Sequence, residues 1–127
     1  MVSKTRQRRL ADHLYKELSE LLLYEVADPR LEGVFVTDVT VDRELSYADI
    51  YVSALEGSVR TKEILDGLEH ARGYLRSELA DRVEMRMFPL LRFHWDPTPE
   101  RVERFERLFA SLRGEYADDA GEGKKDE

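Results

Sequence analysis

The sequence holds 127 residues with a formal charge of −7, 42% hydrophobic and 37% charged residues, and no cysteine. That length suits one domain with its own core, and the missing cysteine excludes disulfide frameworks, thiolate metal sites and cysteine nucleophiles and fits a cytoplasmic chain. No apolar run approaches the ~18 residues of a membrane span, and no apolar stretch follows the basic N-terminus, so neither membrane contact nor a secretory signal is expected.

Residues 10–26 read as an amphipathic helix: Leu10, Leu14, Leu18, Leu21 and Leu22 recur at helical spacing among charged residues. Asp28-Pro29 ends it, because the residue before a proline is pushed out of the α region. Val34 to Asp42 switches to period two, with Phe35, Thr37, Val39 and Val41 opposite Val36, Asp38, Thr40 and Asp42. Tyr47 to Leu55 alternates again across the short loop 43–46, which predicts an antiparallel hairpin. From Gly57-Ser58 a helical stripe runs through Ile64, Leu68, Ala71, Leu75, Leu79 and Val83. Gly73 interrupts it, and a glycine there signals a kink or the close approach of another backbone. Pro89 precedes a third strand, Leu90–Trp95. Thr98 and Pro99 then open a last helix with the stripe Val102, Phe105, Phe109 and Leu112 and the pairs Glu100–Arg104 and Glu103–Arg107. The expected division is a domain over 1–113 and a disordered acidic tail over 114–127, which holds six acids and no Val, Ile or Leu.

The charge is uneven. Lys4, Arg6, Arg8 and Arg9 precede Leu10 with no acid among residues 1–9, and arginine outnumbers lysine fifteen to five. Arginine suits bidentate phosphate contacts, although a base-composition bias would give the same excess. The four N-terminal cations are expected to stay free to follow a phosphate backbone. Arg72, Arg76, Arg82, Arg86 and Arg92 follow in the region of Gly73. A bend there would free backbone N–H groups beside Arg72 and Arg76 and make a phosphate site; a solvated charged face is the plain alternative. Chemistry is poorly represented. His13, His70 and His94 show no metal-ligand spacing, and no nucleophile elbow or phosphate-binding glycine loop occurs. Asp38, Asp42, Glu44 and Asp49 gather around the hairpin, which reads as a solvated sheet face ahead of a hydrolytic site.

Five stretches in order carry a resemblance. They are Asp28-Pro29-Arg30-Leu31, Val36-Thr37-Asp38-Val39, Leu45–Ser53, Ala71-Arg72-Gly73-Tyr74-Leu75-Arg76-Ser77-Glu78-Leu79, and Pro89-Leu90-Leu91-Arg92-Phe93 followed by Asp96. Together they resemble the bacterial ribosome-binding factor A family. The resemblance implies an α+β, KH-like (type II) domain ordered α-β-β-α-kink-α-β, with a three-stranded sheet, the kink at Ala71-Arg72-Gly73, and here a C-terminal helix added. It implies a non-enzymatic assembly factor that binds the free small (30S) ribosomal subunit and its 16S RNA and assists late maturation, including 5′-end processing. Ordinary KH modules clamp nucleic acid with a G-x-x-G loop; this chain has none.

The expected RNA-contacting set is therefore Lys4, Arg6, Arg8, Arg9, Ala71, Arg72, Gly73, Arg76, Arg82, Arg86 and Arg92, with no catalytic residue, metal or cofactor. The expected partners are the 30S subunit and 16S RNA, with ribosomal proteins and other assembly factors as further candidates, for a chain that is itself a monomer. Two other readings stay open: a protein-interaction module for basic ribosomal proteins, and a small enzyme using the hairpin carboxylates.

Overall fold

Ser3 starts the first helix: its hydroxyl oxygen accepts a hydrogen bond from the backbone N–H of Arg6 at 3.1 Å, satisfying one of the free N–H groups of a helix end. The structure is a computed structural model, and it describes residues 3–85 and 87–114. The elements are α1 (Lys4–Tyr24), β1 (Val34–Val41), β2 (Tyr47–Ala54), α2 (Thr61–Val83), β3 (Leu90–Trp95) and α3 (Thr98–Leu112), with short 3-10 turns at Pro29–Leu31 and Gly57–Arg60. The packing separates residues 1–96 from 97–127. The tail expected beyond Gly114, and Arg86, lie outside the described residues apart from Gly114 itself.

In the 1–96 unit the three strands lie in the order β1-β2-β3, with β1 antiparallel to β2 and β2 parallel to β3. A parallel pair needs a crossover, and α2 supplies it. Ala11, Leu14, Leu18, Leu21 and Leu22 of α1 and Ile64, Leu68, Leu75 and Leu79 of α2 share one core with Val36, Val39, Val41, Ala48, Ile50, Val52 and Leu91 of the sheet. Leu14, Leu18, Ile50, Ile64, Leu68, Leu75, Leu79 and Leu91 are fully buried, so both helices cover the same side of the sheet.

Three local expectations change. The alternation of β1 breaks at Thr37, where the register slips between Val36 and Asp38. The bulge puts Val36 in the core together with Val39 and Val41, because an extra residue reverses the phase of the side chains. Second, α1 begins six residues before Leu10. Lys, Arg and Gln are good helix formers, and the Ser3 cap extends the helix beyond its apolar stripe. The cations expected on a free arm therefore sit on the first two turns of a helix.

Third, α2 runs unbroken through the expected kink. Gly73 keeps a negative-side φ, unlike Gly33, Gly57 and Gly114, so no helix end is freed beside Arg72. Open space surrounds the position a β-carbon would take at Gly73. The glycine with a packing reason is Gly67, where a β-carbon would stand 3.1 Å from Leu31 Cδ2 and 3.3 Å from Arg30 Cβ. Ala71 is only partly buried against the core. Gly73→Ala is accordingly expected to stabilise the fold by up to about 1 kcal/mol, whereas Gly67→Ala is expected to raise the melting temperature less, because Leu31 and Arg30 must first give by a few tenths of an ångström. Thermal unfolding of the two variants side by side checks this; a destabilised Gly73→Ala would restore the kink.

The hairpin loop 42–46 is held by one carboxylate. Asp42 Oδ1 accepts from the N–H of Ser46 at 2.6 Å and of Tyr47 at 2.9 Å, while Leu45 takes a left-handed conformation with φ +58°. The β1 edge is blunted: Gln7 Nε2 donates to Val41 O at 2.6 Å, and Asp38 accepts the N–H of Val39 at 2.9 Å. Such capping protects an edge strand from pairing with other chains.

The 97–127 unit shows α3 as an amphipathic helix. Pro97 is its N-cap residue, with no side-chain capping bond, so the helix starts at Thr98 and not after it. The pairs Glu100–Arg104 at 4.0 Å and Glu103–Arg107 at 3.3 Å form as expected.

Candidate nucleic-acid interface

The expected RNA-contacting residues separate by what already holds them. Arg76 is a structural residue. Its Nε donates to Pro89 O at 3.1 Å and its Nη2 to Phe88 O at 2.6 Å, and its guanidinium lies 6.0 Å from the Phe88 ring centre. The sequence places it beside a kink as a phosphate contact; instead it ties the middle of α2 to the segment entering β3. Arg82 binds α1 and its C-cap residue, with Nη1 3.4 Å from Glu17 and Nη2 2.5 Å from Glu25. Arg92 pairs with Asp49 in bidentate fashion along one edge of its guanidinium, Nε to Oδ1 at 2.9 Å and Nη2 to Oδ2 at 3.0 Å. Arg72 stays exposed, with Glu69 3.5 Å away. Arg86 lies outside the described residues.

Lys4, Arg6, Arg8 and Arg9 differ from these. All four are exposed, and among the described residues none makes an ion pair. They also stand at the wrong end of their helix: the first turn of α1 holds no acid, although a helix N-terminus carries partial positive charge and favours anions. Four cations there repel the helix dipole and one another. A polyanion laid along these turns relieves both repulsions, which a plain solvated face does not require. Lys4, Gln7 and Arg8 also line a cleft with Asp38, Thr40 and Val41 of β1, so the basic turns adjoin the hairpin end of the sheet.

The hairpin carboxylates do not converge on a reaction centre. Asp42 holds the loop, Asp38 caps Val39, and Asp49 binds Arg92 and sits 2.7 Å from His94 Nε2. The Arg92 guanidinium, chiefly by hydrogen bonding, holds the Asp49 carboxyl below its ordinary value; partial burial opposes this and His94 adds to it. A carboxyl depressed in the fold contributes stability above its unfolded pKa, which is lost as the pH falls through the folded value. Asp49→Asn is thus expected to lower the melting temperature at neutral pH, with the difference from the unchanged chain shrinking below about pH 4. A difference that stays constant down to acid pH would show that the pair contributes nothing. Among the described residues no group of three His, Asp or Glu is placed to hold a metal ion, and no helix is long and apolar enough to cross a membrane.

Sequence reasoning missed Tyr47, Tyr51, Leu90 and His94 as a surface. They align on the outer side of β2 and β3 through the pairs Tyr47↔Leu90, Asp49↔Arg92 and Tyr51↔His94. A parallel register across a long crossover leaves no mark in local sequence.

Comparison with known proteins gives a consistent picture. Residues 6–109 match the family model described as ribosome-binding factor A. A ribosome-binding factor A of Chromohalobacter salexigens is 46% identical over 116 residues, covering 90% of this chain and 86% of the relative. The crystal structure of ribosome-binding factor A from Thermus thermophilus superposes with a TM-score of 0.64 at 30% identity, covering 70% of this chain and 93% of that one. A homology model of the Thermus thermophilus factor, fitted into a cryo-electron microscopy map of a complex of the 30S subunit with the factor, matches with a TM-score of 0.55 at 31% identity, covering 65% of this chain and 87% of that one.

Proposed function

Because this chain belongs to the ribosome-binding factor A family, we propose that it binds the free 30S subunit through its 16S RNA, in the cytoplasm, and assists late maturation, including processing of the RNA 5′ end. The observation that carries the RNA contact is the set of four exposed cations on the first two turns of α1, none of them ion-paired among the described residues, in a chain whose net charge is −7. Phosphate binding by such side chains releases counterions and supplies sequence-independent affinity. The remaining arginines of the expected site act differently: Arg76 and Arg82 are spent on the fold, Arg92 is held by Asp49 yet stays half exposed, and Arg72 is exposed beside Glu69. The chain works as a binding factor without catalysis: Asp38, Asp42 and Asp49 of the hairpin are engaged in edge, loop and ion-pair contacts.

Sedimentation through a sucrose gradient with purified subunits tests the proposal. The chain is expected to travel with free small subunits and not with large ones. A chain that stays at the top of the gradient, or follows the large subunit, would refute it. Processing is read separately, from the ratio of precursor to mature 16S 5′ ends in cells depleted of the protein; an unchanged ratio removes that part alone.

A further inference from the structure

The outer side of β2 and β3 carries a surface that the four cations of α1 do not explain. Tyr47 is 38% exposed and Leu90, its cross-strand neighbour, 50%. The Arg92 guanidinium lies over the Tyr47 ring, 4.0 Å from its centre. Asp49 grips one edge of that guanidinium through two parallel hydrogen bonds, which fixes its plane, yet the side chain stays 48% exposed. One strand step further, Tyr51 and His94 stack at 4.9 Å with an interplanar angle of 26°. The helices cover the opposite side of the sheet, so these flat groups face outward from the core.

We propose that the Tyr47–Arg92 pair, flanked by Leu90, is a stacking site for an unpaired RNA base. The inference rests on the reading that this chain binds 16S RNA, and it adds a site on the other side of the sheet from the core. The chemistry favours a base. Bases splayed from single-stranded RNA stack on aromatic rings and on arginine planes, and here the two are already assembled and held by a carboxylate. Asp49 neutralises Arg92, so the site has little pull on a phosphate of its own.

The pull comes from nearby. Gln7 binds Val41 O at the end of β1, and Asp42 N–H donates to Tyr47 O at 3.2 Å. The basic turns of α1 and Tyr47 thus meet the same end of the hairpin. A strand whose backbone follows Lys4 and Arg8 reaches this surface by passing that end. The same cations oppose a basic protein tail, which makes an RNA strand the better occupant.

The test uses the full chain with two probes, a 12-nucleotide unpaired RNA and a 12-base-pair RNA duplex, and two variants, Tyr47→Leu and Arg92→Lys. Leucine keeps the apolar bulk and removes the ring; lysine keeps the charge and removes the plane. Each variant is expected to bind the unpaired RNA about five- to hundredfold more weakly, with duplex affinity and salt dependence close to those of the unchanged chain; Arg92→Lys also lowers the melting temperature, because the bidentate contact to Asp49 is lost. Lysine in place of Arg92 also covers the case in which Tyr47→Leu fails to fold. Undiminished binding of the unpaired RNA by both variants overturns the site, as does an equal loss on both RNAs. So does a loss seen only against a ribosomal protein of the small subunit, which would make the face a protein contact. A chain that sediments with small subunits but binds neither RNA overturns the RNA reading as a whole.

Discussion

Arg76→Met is expected to lower the stability of the chain by about 2–4 kcal/mol: hydrogen bonds from a charged donor contribute roughly 1.5–3 kcal/mol each, two are lost, and the partial exposure of Arg76 reduces their sum. Both bonds end on backbone carbonyls, at Phe88 and Pro89. Phe88 is almost fully buried, so its carbonyl has poor access to water as a replacement partner. Methionine retains the apolar stem beside Phe88 and isolates the loss of the guanidinium. The melting temperature is expected to fall by roughly 10 °C or more in a domain of this size. Arg72→Glu, one turn away and exposed, should shift it by no more than a degree or two, equivalent to about 0.5 kcal/mol. Equal small shifts for the two variants would place Arg76 on the surface after all.

The second large effect concerns binding. Changing Lys4, Arg6, Arg8 and Arg9 together to glutamine is expected to weaken association with the small subunit about 10–100-fold near 0.1 M salt and to lower the slope of log affinity against log salt by about three. The fold should not suffer. Glutamine is a good helix former, Ser3 still caps the helix, and removing four cations from the positive end of α1 lessens repulsion. A melting temperature equal to or slightly above that of the unchanged chain therefore accompanies the weaker binding. An unchanged salt slope would assign the affinity elsewhere.

The sequence makes the strands and helices readable where burial imposes a period. Leu14, Leu18 and Leu21, or Ile64, Leu68, Leu75 and Leu79, mark faces that the core then uses. Reading fails where one backbone event resets the pattern. The bulge at Thr37 moves Val36 into the core, and a bulge has no side-chain signature in TDVTV. It also fails where apolar residues stop but the helix continues, as over residues 4–9, because helix formers and a serine cap carry α1 further than its stripe.

The glycines show the same limit. Gly73 stands out in a helical stripe and suggests a bend, yet it occupies open space; Gly67, which nothing in the local pattern marks, is where α2 touches the Pro29–Leu31 turn. For the candidate site, composition locates the cations but not their partners. Arg76 and Arg72 lie one turn apart in sequence and look equivalent, and only the tertiary position of Phe88 and Pro89 separates an anchor from an exposed side chain paired within its own helix. Arg92 likewise becomes a fixed plane through Asp49, forty-three residues away.

The absence of cysteine from the chain permits a direct measurement. Thr5 is exposed on the first turn of α1 and Lys62 on the first turn of α2, so Thr5→Cys and Lys62→Cys each create a single attachment point for an iron chelate that cleaves nearby RNA. With the labelled chain bound to the small subunit, the probe at residue 5 should cut 16S RNA at a compact set of nucleotides, whereas the probe at residue 62 should cut weakly or elsewhere. Cleavage from residue 62 with none from residue 5, in a complex of normal affinity, would contradict the placement of the RNA against the basic turns of α1.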